Sequence, residues 1–217
     1  MRRIVKISLG AAVCIGVFLI SLPTLVHKAG LHPEYSGPTA DLPGKRALII
    51  TTSHGVLAPV GETEGDPTGV AASEMTHPYY TFLDGGMDVD LASIKGGEIP
   101  IDPMTINRVV KTAEDERFLN DSIAMSKAKY SIPIADVDIT AYDIVFISGG
   151  WGASYDLAQS PVLGEMVSDA YYGAKDAIIG GVCHGVLGLV NARTTDGSLL
   201  VAGRRMTGVT DKQIKEL

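Results

Sequence analysis

The sequence predicts an α/β sandwich with a mostly parallel central sheet, helices on both faces and one N-terminal transmembrane helix. Three observations carry that expectation. From residue 46 onward, short apolar runs rich in β-formers alternate with stretches of helical spacing, the order that builds a parallel sheet covered on both sides. The chain has 25 glycines in 217 residues, which suits a fold with many tight strand-to-helix turns. Residues 7–26 carry no charge, and a helix of that length spans the ~30 Å hydrocarbon core of a bilayer.

The N-terminal segment opens with Arg2, Arg3 and Lys6, a basic flank that stays on the cytoplasmic side of a membrane. The expectation is therefore a single span through residues 7–26, with the globular body outside the cytoplasm. A cleaved signal segment followed by secretion is the alternative, although the uncharged run is longer than the usual signal core and no A-x-A site follows it. Residues 29–44 hold three prolines and three glycines without an apolar period and are expected to act as a linker. The division expected is residues 1–28 as anchor or signal segment, 29–44 as linker and 45–217 as the α/β domain.

Within that domain, residues 46–52 form an apolar run suited to a buried strand, and residues 53–69 have the composition of a loop. Residues 70–83 have helical spacing and stop at Gly85-Gly86, a good helix end. Residues 87–93 alternate as a second strand, residues 94–104 form a loop, and residues 105–130 are helical but irregular. Residues 143–148 form a third strand. Ser160-Pro161 opens a helix, with serine as cap and proline at the first position. Residues 177–182 form a fourth strand, residues 185–191 a helix, and residues 198–202 with 205–209 a small hairpin. Ligands in such sheets bind at the carboxyl ends of the strands, which here are Ser53-His54, Ser148-Gly149-Gly150 and Cys183-His184.

The net charge is −7, and the first 28 residues contribute four cations and no acid. The remainder sets 14 Lys and Arg against 25 Asp and Glu, an acidic surface that repels phosphate backbones, so nucleic acid is not expected as a partner. Of the two cysteines, Cys14 lies in the apolar N-terminal segment, which leaves Cys183 as a lone thiol in the body.

Gly180-Gly181-Val182-Cys183-His184-Gly185 is the sharpest chemical feature. It sets a cysteine between an apolar strand and a helix with glycines on both sides, as in a nucleophile elbow. A cysteine at a helix N-terminus feels the positive end of the dipole, which favours thiolate, and the adjacent His184 is a candidate acid or base. A buried cysteine in a glycine-rich turn has the same pattern, and the six residues alone do not separate the two. His54, His77 and Glu62 have irregular spacing and are read as surface and loop residues, so no metal is expected. Trp151, after Gly149-Gly150, is read as a pocket wall.

Residues 143–152, ending Ser148-Gly149-Gly150-Trp151-Gly152, together with Gly181-Val182-Cys183-His184-Gly185, resemble the ThiJ/PfpI superfamily, whose fold is that of the class I glutamine amidotransferases. Residues 68–74 ending in Glu74, His77-Pro78-Tyr79, residues 87–93 and Ile101-Asp102-Pro103 are similar to its glyoxalase III and chaperone/deglycase branch. The resemblance covers residues 46–217 and implies a flavodoxin-like sandwich. It implies a site of Cys183, His184 and Glu74, with the glutamate of the first helix beside the elbow thiol. The amides of Gly150 and His184, with Gly149 beside them, match the positions that stabilise an oxyanion. Some relatives orient the histidine through a downstream acid, for which Asp211 is the matching residue and Glu216 a weaker one; Asp211 at a helix N-terminus is the other reading. The resemblance also implies further helix and strand elements beyond the position of Leu217.

The function implied is a cysteine-dependent, cofactor-independent glyoxalase III-like enzyme acting on small 2-oxoaldehydes such as methylglyoxal. A holdase chaperone or thiol stress sensor of the same fold is the rival, and an amidotransferase-like or peptidase-like hydrolase a weaker one. The expected partners are a small aldehyde, the membrane through residues 7–26 and, optionally, a second copy in a homodimer.

Overall fold

A computed structural model describes residues 2–30, 35–59, 62–173, 177–210 and 212, with side chains from residue 12 onward. Helix α1 (Arg2–Lys28) precedes strand β1 (Arg46–Thr51), whose side chains are buried from Ala47 onward. The loop after it carries a two-residue antiparallel pair, β2 (Val56–Leu57) and β3 (Asp66–Pro67). Helix α2 (Ala72–Asp84) leads into β4 (Asp88–Ser93). Helices α3 (Ala113–Asn120) and α4 (Ser122–Lys129) precede β5 (Ile132–Pro133) and β6 (Ile144–Ile147). A short α5 (Ala153–Asp156), α6 (Pro161–Tyr172), β7 (Ile178–Gly181) and a 3₁₀ helix over Cys183–Leu189 follow.

Strands β5-β4-β1-β6-β7 form one sheet in that order, and every neighbouring pair is parallel. The register sets Ile50 between Ala92 and Ile147, and Ile147 beside Gly181. Successive side chains of a strand point to opposite faces. Ala47 and Ile49 accordingly join one core with Met75, Tyr79, Tyr80 and Phe118 from α2 and α3. Leu48 and Ile50 join the other with Leu157, just past α5, and Leu163 and Val167 from α6. Burial on both faces explains why β1 and β6 are continuous apolar runs rather than alternating ones.

The chain runs outward from β1 through β4 to β5, then returns to the other side of β1 for β6 and β7. The order therefore reverses between β1 and β6, and a crevice opens at the carboxyl ends of strands at such a switch point. The segments leaving β6 and β7 and the first turn of α2 meet there.

Local chemistry sets the helix ends. Ser160 accepts from the Leu163 amide and Pro161 takes the first helical position of α6. Thr112 and Asp115 form a reciprocal capping box at α3, and Asp121 caps α4 through the amides of Ile123 and Ala124. Those two caps divide the irregular helical stretch around residues 105–130 into two short helices.

Several expectations are corrected. Among the described residues no helix is long and apolar enough to cross a membrane. Pro23 lies inside α1, where a proline removes a backbone hydrogen bond of the helical ladder, and His27 and Lys28 close its last turn. The transmembrane helix through residues 7–26, and with it a membrane location with the catalytic body outside the cytoplasm, is not supported. Residues 198–209 do not form a hairpin. Leu199 instead makes one antiparallel bridge back to Arg193, because the Leu200 amide bonds to the Ala192 carbonyl and turns the chain. The helix after the elbow is a 3₁₀ helix that begins at Cys183 itself.

Candidate active site

The elbow is built from glycine geometry. Val182 extends the β7 ladder through its amide to the Ile147 carbonyl (3.2 Å), and Gly185 N–H closes a tight turn on the Val182 carbonyl at 2.7 Å. Cys183 between them has φ +52°, and among the described residues every other positive φ belongs to glycine. A side chain there carries strain on the order of 1–2 kcal/mol, which persists only where the surroundings over-determine the turn. Gly185 supplies that constraint: a Cβ on it would lie 2.2 Å from the Ile147 carbonyl oxygen, so only glycine lets the 3₁₀ helix pack this closely on β6.

Glu74 sits in the first turn of α2, beneath the elbow. Ser148 Oγ donates to the Glu74 carbonyl (2.8 Å), and the Gly149 amide donates to Glu74 Oε2 (3.0 Å). The same carboxyl group shares a hydrogen bond with the Cys183 thiol. A Cβ at position 149 would come within 2.6 Å of Glu74 Oε2 and 2.8 Å of the His184 amide nitrogen. Gly149 is therefore required by the close approach of three elements. Gly150 has φ +95°, and its amide, like that of His184, points at the Cys183 sulfur.

The electrostatics differ from the expectation of a dipole-stabilised thiolate. Burial pushes the Cys183 thiol up, the neighbouring Glu74 carboxylate pushes it further, and the His184 and Gly150 amides only partly oppose them. Burial likewise raises Glu74, against the hydrogen bonds from Cys183 and the Gly149 amide. His184, 8% exposed, is held below its ordinary value by burial, which favours the neutral imidazole. Its Nδ1 lies 3.5 Å from Cys183 Sγ, and the Trp151 indole lies against the ring. The site thus sets a thiol, a carboxyl and an imidazole beside one another, each biased by burial toward its uncharged form.

Cys183, His184, Glu74, Gly149 and Gly150 are brought together; Asp211 and Glu216 lie outside the described residues. His54 stacks on Tyr155 with ring centroids 4.1 Å apart, and His77 faces Thr112 (3.0 Å) and Glu114 (3.2 Å). Among the described residues no three His, Cys, Asp or Glu side chains cluster for a metal. Sequence reasoning missed Asp156, which accepts from Thr52 Oγ1 and the Ser53 amide, both at 2.8 Å, and ties α5 to the end of β1. It also missed the structural part of Ser148. Neither residue has a spacing signal, because the partners of each come from distant segments.

The chain is 31% identical over 173 residues to the glutathione-independent glyoxalase HSP31 of Saccharomyces cerevisiae, covering 77% of this chain and 69% of that protein. The crystal structure of glyoxalase III from Candida albicans superposes with a TM-score of 0.70 at 27% identity, covering 80% of this chain and 71% of that one. The rapid encystment protein REP24 of Francisella tularensis superposes with a TM-score of 0.71 at 34% identity, covering 79% and 73%. The pattern of the DJ-1/PfpI family matches residues 67–216, a stretch that holds Glu74, the Gly149-Gly150 turn and the Cys183 elbow. On this match and these likenesses, the chain belongs to the DJ-1/PfpI family.

Proposed function

We propose that the chain is a glutathione-independent, glyoxalase III-like enzyme that converts small 2-oxoaldehydes to 2-hydroxy acids, methylglyoxal to lactate among them. The observation that carries this reading is the Glu74 carboxyl hydrogen-bonded to the thiol of a strained elbow cysteine, between the amides of Gly150 and His184. The names of the HSP31 and Candida relatives support the choice of substrate class.

The scheme balances without a redox partner. Cys183 sulfur bonds to the aldehyde carbon as its proton leaves toward Glu74 or His184, and the former carbonyl oxygen takes up a proton to give a hemithioacetal. Glu74 then removes the C1 hydrogen as a proton, giving an enediolate, and returns that proton at C2 while the C1 hydroxyl proton passes to the C2 oxygen. C1 is thereby oxidised to a thioester while C2 is reduced to an alcohol. Water adds to the thioester, the C–S bond breaks, and the thiol is regenerated with the hydroxy acid. Burial serves this chemistry by raising the Glu74 carboxyl toward the pH at which it exchanges protons. The Gly150 and His184 amides face the sulfur and stand where developing negative charge needs donors.

The test is a steady-state assay of the full chain on methylglyoxal with lactate as the measured product, beside Cys183→Ser. Lactate formation by the full chain and its loss in the variant are expected. Full consumption by Cys183→Ser rejects the reading.

A further inference from the structure

Three consecutive residues each touch a different group of the site. The Gly149 amide donates to Glu74, the Gly150 amide faces the Cys183 sulfur, and the Trp151 ring packs on His184. The first two contacts are made by backbone. The third is made by a side chain, with ring centroids 5.0 Å apart and an interplanar angle of 38°. His184 is 8% exposed, and its Nδ1 lies 3.5 Å from Cys183 Sγ.

Holding that imidazole matters because it can rotate about its side-chain bonds, and only some rotations aim Nδ1 at the sulfur. A flat aromatic face restricts rotation without offering a competing hydrogen bond, and an indole presents the largest such face. Trp151 is itself well fixed. Gly150 at φ +95° turns the chain, and its Cβ position lies 2.3 Å from the Ala71 amide nitrogen. The Gly152 amide bonds to the Gly69 carbonyl at 3.1 Å, and a Cβ on Gly152 would meet the His54 carbonyl oxygen at 2.3 Å. The indole is carried between two glycines whose backbone lies so close to neighbouring segments that no larger residue fits at either position.

We propose that Trp151 is a positioning residue, whose indole braces the His184 imidazole so that Nδ1 stays directed at Cys183 Sγ. It acts on the reaction through His184 and does not bind the aldehyde. The kinetic half of this inference rests on the glyoxalase reading, and the spectroscopic half stands apart from it. Trp151 is the chain's single tryptophan, so all indole emission reports on this contact.

The experiment uses the full chain, Trp151→Phe, Trp151→Ala and His184→Ala, with circular dichroism to confirm folding. For methylglyoxal, Trp151→Ala is expected to lower kcat on the order of tenfold, part of the ~10²–10⁴ that positioned acid–base groups contribute. KM should stay within about twofold, since no uniform binding is lost. Trp151→Phe should recover most of kcat by restoring a flat face. A rise in KM with kcat unchanged would mean that the indole touches substrate, and unchanged kinetics would mean that it braces nothing; either overturns the proposal. Should Trp151→Ala fail to fold, Trp151→Phe and emission carry the test. Emission of the full chain is expected to change in His184→Ala, because the imidazole is removed from the indole face. Unchanged emission overturns the contact even where the glyoxalase reading holds. A full chain without turnover but with the emission change would sink that reading and leave the brace standing.

Discussion

Glu74 and Cys183 share a hydrogen bond in a site where burial drives both toward their protonated forms. The sulfur is thereby biased toward the thiol, and its ionisation is coupled to a carboxyl group on a different element. Replacing Glu74 by glutamine removes the nearby negative charge and keeps the shape. The expected outcome in Glu74→Gln is a lower pKa for Cys183, because the carboxylate raises it in the native chain. Iodoacetamide labelling rates measured against pH check this: the midpoint should move to lower pH, and a midpoint that moves up contradicts it.

The same substitution should lower turnover while stabilising the fold. A carboxyl group whose folded pKa is raised adds stability below its ordinary value of 4.5 and loses it as pH climbs through the folded value. Relative to the native chain, Glu74→Gln should therefore gain stability as pH rises from about 4 to 7. Urea denaturation across that range measures the gain. Turnover on methylglyoxal should fall by about 10² or more, the contribution typical of a proton-transfer group.

Gly150→Ala is expected to be severe. Its φ of +95° is strained for alanine, and the added methyl would sit 2.3 Å from the Ala71 amide nitrogen and 2.5 Å from the Gly69 carbonyl oxygen. A loss of roughly 3 kcal/mol or more, with loss of activity, follows from strain plus backbone collision. Gly197→Ala is the control: it shares the positive φ, at +84°, but a Cβ there meets nothing within 4 Å. It should cost about 1 kcal/mol and leave turnover intact. Equal losses at the two positions, read from denaturation midpoints, would refute the collision argument.

Thr112→Ala tests the cap of α3. Thr112 accepts from the Asp115 amide while Asp115 accepts from the Thr112 amide, and both residues are buried. Loss of the threonine oxygen should destabilise the chain by about 1 kcal/mol, seen as a lower urea midpoint at unchanged slope.

The alternation of strand and helix was legible because hydrophobic period and turn residues are local: residues 46–52 and 143–148 declare themselves as buried strands, and Ser160-Pro161 declares a helix start. Strand β5 was not legible, since a two-residue strand containing Pro133 has no period and exists only because Ala92 and Ser93 offer it a ladder. The N-terminal segment misled in that its uncharged composition suggests a membrane crossing, whereas among the described residues no helix is long and apolar enough for one.

By itself the sequence determined the layered architecture and the position of a cysteine at a glycine-flanked turn, because backbone propensity and glycine geometry act over a few residues. Only the tertiary structure decided that Glu74, Gly149, Gly150, Trp151 and His184 converge around Cys183, and that burial biases its sulfur toward the thiol. Convergence depends on strand order, which reverses between β1 and β6. The charge state depends on burial and on a carboxylate brought from α2, and neither acts along the chain.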